Sequence, residues 1–105
     1  NNIDKEGNAK YDLLLYVANW PEKRIGHWEK LLSARAIENQ AYVAGLNRVG
    51  VDGNSLNYNG QSVVNDYNGL PILSFEKNEN AVRSTILSAT SLQVFRKELP
   101  FLKDF

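Results

Sequence analysis

The most telling feature of the chain is where apolar residues run together and where they recur with a period. Tyr11 to Ala18 (YDLLLYVA) is a near-continuous apolar run, the pattern of a strand covered on both faces in an α/β sheet. It stops at Asn19-Trp20-Pro21, where the proline removes a ladder donor and holds Trp20 in extended geometry. Arg24 to Gln40 follows the helical period. At about 100° per residue, Ile25, Trp28, Leu31, Leu32 and Ala36 share one face, with Arg35 and Asn39 in its middle and Glu38 at its edge. Ala34 and Ile37 lie opposite, so the helix is apolar on two sides. That is the pattern of a helix packed between its own sheet and something else, such as a partner subunit. Ala41 to Val51 (AYVAGLNRVGV) reads as a second strand. A strand, a helix and a strand in this order predict a βαβ crossover with parallel pairing.

The texture then changes. Asp52-Gly53, Asn59-Gly60 and Asn68-Gly69 are strong turn dipeptides. The short runs Ser62 to Tyr67 and Leu70 to Phe75 predict a small antiparallel meander. Lys77 to Asn80 reads as a polar turn and Ala81 to Leu87 as a further strand. Ser88 to Leu99 reads as a helix capped by Ser88 or Thr90 and ended by Pro100. Asn1 to Lys10 reads as a loop or frayed end. The tail Phe101 to Phe105 carries two aromatic residues and needs a surface to dock on.

Composition narrows the class. The 105 residues suit a single domain, 43% hydrophobic and 23% charged, within the range of soluble globular chains. Twelve basic residues balance twelve acidic ones, so no electrostatic footprint for nucleic acid or an anionic membrane is present. No apolar run approaches the roughly 20 residues that span a bilayer. The first ten residues are too polar for a secretory signal, and the expected location is cytoplasmic. The chain contains no cysteine, which excludes disulfides, zinc thiolates and a cysteine nucleophile among these residues. There is no methionine either, so the sequence does not open on an initiator.

Few residues are arranged for chemistry. His27, the single histidine, has too few companions for a metal site and reads as a surface or interface imidazole. Ser62 lies outside a Gly-x-Ser-x-Gly elbow and reads as a strand residue after a tight turn. Gly45, Gly50 and Gly53 match neither phosphate-binding glycine signature. Arg35 and Glu38, three residues apart, can pair. They read either as a buried ion pair fixing the helix to the sheet or, with Asn39, as a brace behind a nearby site. Asn19 and Trp20 read either as a strand-end turn with a packed indole or as pocket lining, because ligands of open α/β sheets sit at the carboxyl ends of strands.

Taken together, Tyr11-Asp12-Leu13-Leu14-Leu15-Tyr16-Val17-Ala18-Asn19-Trp20-Pro21 resembles the segment that follows the catalytic cysteine in the nitrilase superfamily of carbon–nitrogen hydrolases. His27-Trp28, Leu31-Leu32 and Ala34-Arg35-Ala36-Ile37-Glu38-Asn39-Gln40 resemble its next helix. Asn47-Arg48-Val49-Gly50 resembles the following strand end, and Gly60-Gln61-Ser62 with Asp66 and Gly69 the hairpin. The Val-Ala-Asn-Trp-Pro run points to the omega-amidase branch.

The resemblance implies an α/β fold, the C-terminal half of a four-layer α-β-β-α sandwich, with residues 1–105 forming part of a single domain. It implies amide hydrolysis without metal or organic cofactor. The implied substrate is a small monoamide of a short dicarboxylic acid, and the implied mechanism is that of a Glu–Lys–Cys triad that forms and hydrolyses an acyl-enzyme. The cysteine of that pattern would stand about ten residues before Asn1, with the glutamate and lysine farther upstream. Lys30 and Glu38 match the helix and not the triad.

What the resemblance carries onto this chain is Asn19 and Trp20 as substrate-binding residues and Arg35, Glu38 and Asn39 as support. The implied partners are the missing N-terminal part of the domain and a second copy in a homodimer. The alternative is a non-catalytic dimerisation or interaction module derived from the same family.

Overall fold

The computed structural model describes residues 2–100. Strand β1, Leu13–Ala18, leads through a 3-10 turn at Glu22–Arg24 into helix α1, Ile25–Asn39, and back into strand β2, Tyr42–Asn47. β1 and β2 pair in parallel, from Leu13 opposite Tyr42 to Ala18 opposite Asn47, as the βαβ pattern predicts. Strands β3 (Val49–Val51) and β4 (Asn57–Asn59) form a separate two-stranded antiparallel sheet. Strands β5 (Val63–Asn65) and β6 (Pro71–Ser74) return to the first sheet, whose order is β1-β2-β5-β6. Both β2–β5 and β5–β6 are antiparallel. Helix α2, Ala89–Glu98, closes the described chain.

The core lies between α1 and one face of the four-stranded sheet. Trp28, Leu32 and Ala36, spaced four apart, are buried on α1 against Val43, and Leu14, Tyr16, Ala18, Ile25 and Val63 pack around them. Helix and sheet approach so closely that a Cβ built on Gly45 would stand 2.4 Å from Leu32 Cδ1 and 2.8 Å from Trp28 Cζ2. α1 ends at Gln40, which adopts the left-handed conformation (φ 45°, ψ 54°). The Gln40 N–H donates to the Ile37 carbonyl and the Ala41 N–H to the Ala36 carbonyl, the bond pair of a Schellman ending. At the start of α2, the Ser88 hydroxyl accepts from the Ser91 N–H at 3.0 Å, which satisfies one of the donors orphaned at a helix N-terminus.

Four expectations from the sequence are corrected. First, β1 is not buried on both faces. Exposure alternates along it, and Leu13, Leu15 and Val17 face solvent, with Leu15 60% and Val17 81% exposed. Leu15 shares its side with Ala44, Val64 and Leu73 by register, and Leu46 on β2 is also exposed. The described residues supply one helix to one face and leave much of the other uncovered. Second, Ala41 to Val51 is two strands in two sheets, because hydrogen bonds at Asn47 end the first ladder. Third, residues 81–87 form no strand. They are unpaired, with Val82 and Ile86 almost fully exposed, because no sheet edge among the described residues meets them. Fourth, of the two readings of the N-terminal segment the loop holds and the frayed end does not. Asn2 is buried and its amide donates to the Tyr11 and Asn39 carbonyls while accepting from the Lys10 and Tyr11 N–H groups, all at 2.8–2.9 Å. The aromatic tail lies outside the described residues.

α2 is fixed at the end of the sheet where the parallel strands begin. Arg96 donates to the carbonyls of Gln40 and Tyr11 and to the Asp12 carboxylate, at 2.7–2.9 Å. The Tyr42 hydroxyl donates to the Ser88 carbonyl at 3.0 Å. Tyr67 bridges Tyr42 and Phe95, with ring centroids 5.5 and 4.5 Å away.

Candidate functional site at the strand ends

The other end of the sheet, where β1 and β2 finish, gathers the polar groups. Beyond the last register pair, the Asn47 side chain takes over from the ladder. Its Oδ1 accepts from the Trp20 N–H at 2.7 Å, and its Nδ2 donates to the Trp20 carbonyl at 3.0 Å and to the Gly60 carbonyl at 2.9 Å. Asn47 is itself held by Ser62, whose buried hydroxyl accepts from the Asn47 N–H at 2.8 Å and donates to the Asn47 carbonyl at 3.4 Å. Ser62, expected as a strand residue after a tight turn, stands one residue before β5 and bridges it to the end of β2.

Trp20 is fixed on every side. Its indole N–H donates to the Arg24 carbonyl. Its ring lies 5.8 Å from that of Trp28, and the Arg24 guanidinium stands 5.3 Å from its centroid, a cation–π arrangement. Asn19, one residue earlier, is exposed, and its side chain makes no hydrogen bond among the described residues. The pair therefore presents a rigid aromatic surface beside a free amide. A separate depression of about 440 Å³ lies between α1 and the β5–β6 hairpin, lined in part by Glu29, Ser33, Gln61 and Asn65; neither Asn19 nor Trp20 lines it.

Arg35, Glu38 and Asn39 are not brought to this end. They occupy the last turns of α1, about ten residues past the start of the helix, roughly 15 Å along its axis. The expected buried ion pair is an exposed one. Arg35 Nη1 and Glu38 Oε1 are 2.7 Å apart with both side chains about half exposed, and the hydrogen bond to Glu38 raises the Arg35 pKa. Leu31, which the period groups with the core face, lies off it and is 44% exposed. Leu31, Arg35 and Glu38 form one stripe, and that stripe faces solvent. Asn39 is buried and structural, donating to the Arg35 carbonyl at 2.9 Å. His27 is exposed on α1. No helix of the described residues is long and apolar enough to cross a membrane.

Asn47 entered the sequence reading only as the first residue of the strand-end match Asn47-Arg48-Val49-Gly50, with no role of its own. Its signal was its place as the first polar residue after the apolar run Ala41 to Leu46, which marks a strand end without revealing what its amide grips.

A parallel βαβ unit extended by an antiparallel hairpin, with its polar groups at the carboxyl ends of the parallel strands, defines an α/β protein whose sheet opens where ligands of such folds bind. The chain belongs to the carbon-nitrogen hydrolase family, whose sequence profile matches residues 6–96. It is 51% identical over 94 residues to omega-amidase YafV of Yersinia enterocolitica, an alignment covering 90% of this chain and 37% of that protein. It is 40% identical over 103 residues to 2-oxoglutaramate amidase of Paenarthrobacter nicotinovorans, covering 98% of this chain and 33% of that one. Among solved structures, XC1258 from Xanthomonas campestris, a CN-hydrolase superfamily protein with an arsenic adduct in its active site, superposes with a TM-score of 0.94 at 45% identity. That match covers 100% of this chain and 40% of the other. The chain thus spans little more than a third of the length of the curated relatives it matches.

Proposed function

We propose that these residues are the C-terminal part of an omega-amidase-like domain that hydrolyses the amide bond of a small monoamide acid. The observation that carries this reading is the apolar sheet face at Leu15, Val17 and Leu46, in a chain that aligns with about 37% of an omega-amidase. An uncovered apolar surface of this kind is a poor match to solvent and a good match to a second sheet. In a four-layer α-β-β-α sandwich the companion sheet lies on that face, and α1 forms an outer layer.

The chemistry follows from the family resemblance. A cysteine thiolate attacks the amide carbonyl, a lysine stabilises the oxyanion and a glutamate passes the proton to the departing ammonia. Water then attacks the thioester and releases the dicarboxylic acid. The 105 residues contain no cysteine, so the nucleophile belongs to the companion part of the protein. This chain contributes the pocket wall. The Asn19 amide hydrogen-bonds the substrate and Trp20 bounds it. Arg35, Glu38 and Asn39 support the far end of α1. The exposed Leu31, Ala34 and Ile37 of α1 offer apolar contact to a second copy in a homodimer.

The complete gene product, assayed for ammonia release from succinamate, is expected to turn over, and the 105-residue chain alone to show no activity. Turnover by the isolated chain would refute the division of labour. A complete product that lacks the cysteine and is inert would establish the non-catalytic module instead.

A further inference from the structure

We infer that Asn47 is a positioning residue for the substrate pocket, acting through the main chain of Trp20 to set where the Asn19 amide points. The inference rests on the reading of Asn19 and Trp20 as pocket wall.

Three observations support it. First, the amide grips both backbone groups of one residue, taking the Trp20 N–H at 2.7 Å and giving to its carbonyl at 3.0 Å. That is the bonding a neighbouring strand would supply, at the point where the β1–β2 register has ended at Ala18 opposite Asn47. Second, the remaining Nδ2 proton goes to the Gly60 carbonyl at 2.9 Å, so one side chain ties the segments entering from β1, β2 and the β4–β5 connection. No other side chain among the described residues makes this link. Third, Asn47 is in turn immobilised by Ser62 through both its own backbone groups. A side chain whose donors and acceptor are all engaged, on a residue that is itself bonded in place, transmits position with little slack.

The chemistry also explains why the residue is an asparagine. Aspartate would keep the acceptor for the Trp20 N–H but set a second oxygen against the carbonyls of Trp20 and Gly60. Leucine would fill the space and leave two carbonyls and an N–H without these partners. A purely stabilising contact at this site would affect folding. A positioning contact also affects how well substrate is held when the protein is folded.

The test uses the complete gene product with succinamate, at a temperature well below the melting point of each variant. Asn47→Ala is expected to raise KM by about tenfold while kcat changes by less than about threefold, the signature of lost substrate binding. Backbone amide exchange at Trp20 is expected to quicken in parallel. Asn47→Asp is expected to show the same split. If Asn47→Ala does not fold, the split is read from Asn47→Ser.

Trp20→Phe and Asn19→Ala serve as the reference. If either of these raises KM while the folded Asn47 variants leave KM and Trp20 exchange unchanged, the positioning role is overturned and the pocket reading survives. If neither moves KM, the pocket reading itself fails, and this inference with it.

Discussion

The Ser33 hydroxyl on α1 donates a 2.8 Å hydrogen bond to the carbonyl of Gly69, in the turn between β5 and β6. This bond draws the hairpin onto the helix. Gly69 has φ +77°, and a Cβ there would stand 2.5 Å from Ser33 Oγ and 2.9 Å from Ile37 Cδ1. Gly69→Ala therefore meets a backbone penalty and a steric one, together about 2–4 kcal/mol. The expected outcome is a marked fall in the melting temperature of the complete gene product. A change of less than about 0.5 kcal/mol, read by urea unfolding, would show that the turn can move off α1.

Gly45 and Leu32 offer a paired test of the same helix–sheet contact. Gly45→Ala overpacks the site and is expected to cost about 1–3 kcal/mol. Leu32→Ala empties it and is expected to cost about 2–5 kcal/mol. Because the introduced methyl would point at Leu32 Cδ1 from 2.4 Å, the double variant is expected to be more stable than the sum of the two losses. Strict additivity in urea unfolding would contradict the contact.

Asp52 and Tyr58 give opposite pH dependences in the β3–β4 hairpin. The Tyr58 hydroxyl donates to Asp52 Oδ2 at 2.8 Å, and the Leu56 and Asn54 N–H groups donate to Oδ1. The Tyr58 bond, then the backbone bonds, hold the Asp52 carboxyl below its usual range, and the same bond to Asp52 raises the Tyr58 phenol. The stabilisation due to Asp52 is complete above its unfolded pKa and is lost as pH falls through the lower folded value. That of Tyr58 is complete below its unfolded pKa near 10 and is lost as pH rises through the higher folded value. An NMR titration is expected to place the Asp52 midpoint below that of a model aspartate, and Asp52→Asn to reduce the acid-side dependence by the share of this one carboxyl, with Glu22 and Glu79, also held below their usual range, keeping theirs. A midpoint at or above the model value would contradict the bonding.

The uncovered face makes a prediction of two signs. In the isolated 105-residue chain, Leu15→Lys with Val17→Glu should reduce self-association, measured by sedimentation. In the complete gene product the same pair should lower the melting temperature. There the face is proposed to be buried, and removing an apolar side chain from such a site costs about 1.5–3 kcal/mol before the penalty of the buried charge. A compact monomer from the unmodified isolated chain, or no loss of stability in the complete product, would count against a companion sheet.

Legibility varied from element to element. The βαβ unit could be read because local periodicity and tertiary burial agree at Trp28, Leu32 and Ala36. Ser88 and Pro100 marked α2 by capping chemistry, which is local. Leu31 misled because the helical wheel has no origin until a sheet supplies one, and a shift of one stripe moved Arg35 from the middle of the apolar face, and Glu38 from its edge, to the surface. Ala81 to Leu87 misled because strand composition calls for a neighbour, and none stands beside that segment. The end of β1 at Asn19 and Trp20 was marked by Pro21, which is local, whereas the grip of Asn47 on Trp20 crosses 27 residues and has no local signature.

The sequence by itself determined the βαβ unit, the turns of the hairpins and the last helix, which family the residues resemble, and that no cysteine chemistry can arise within these 105 residues. Those are properties of side-chain identity and short-range spacing. Only the tertiary structure decided which face of each element is covered, that the run after Ala41 divides between two sheets, and that one asparagine amide joins three segments. Those outcomes depend on the distances between groups far apart in the chain, and the distances exist only once the backbone has closed on itself.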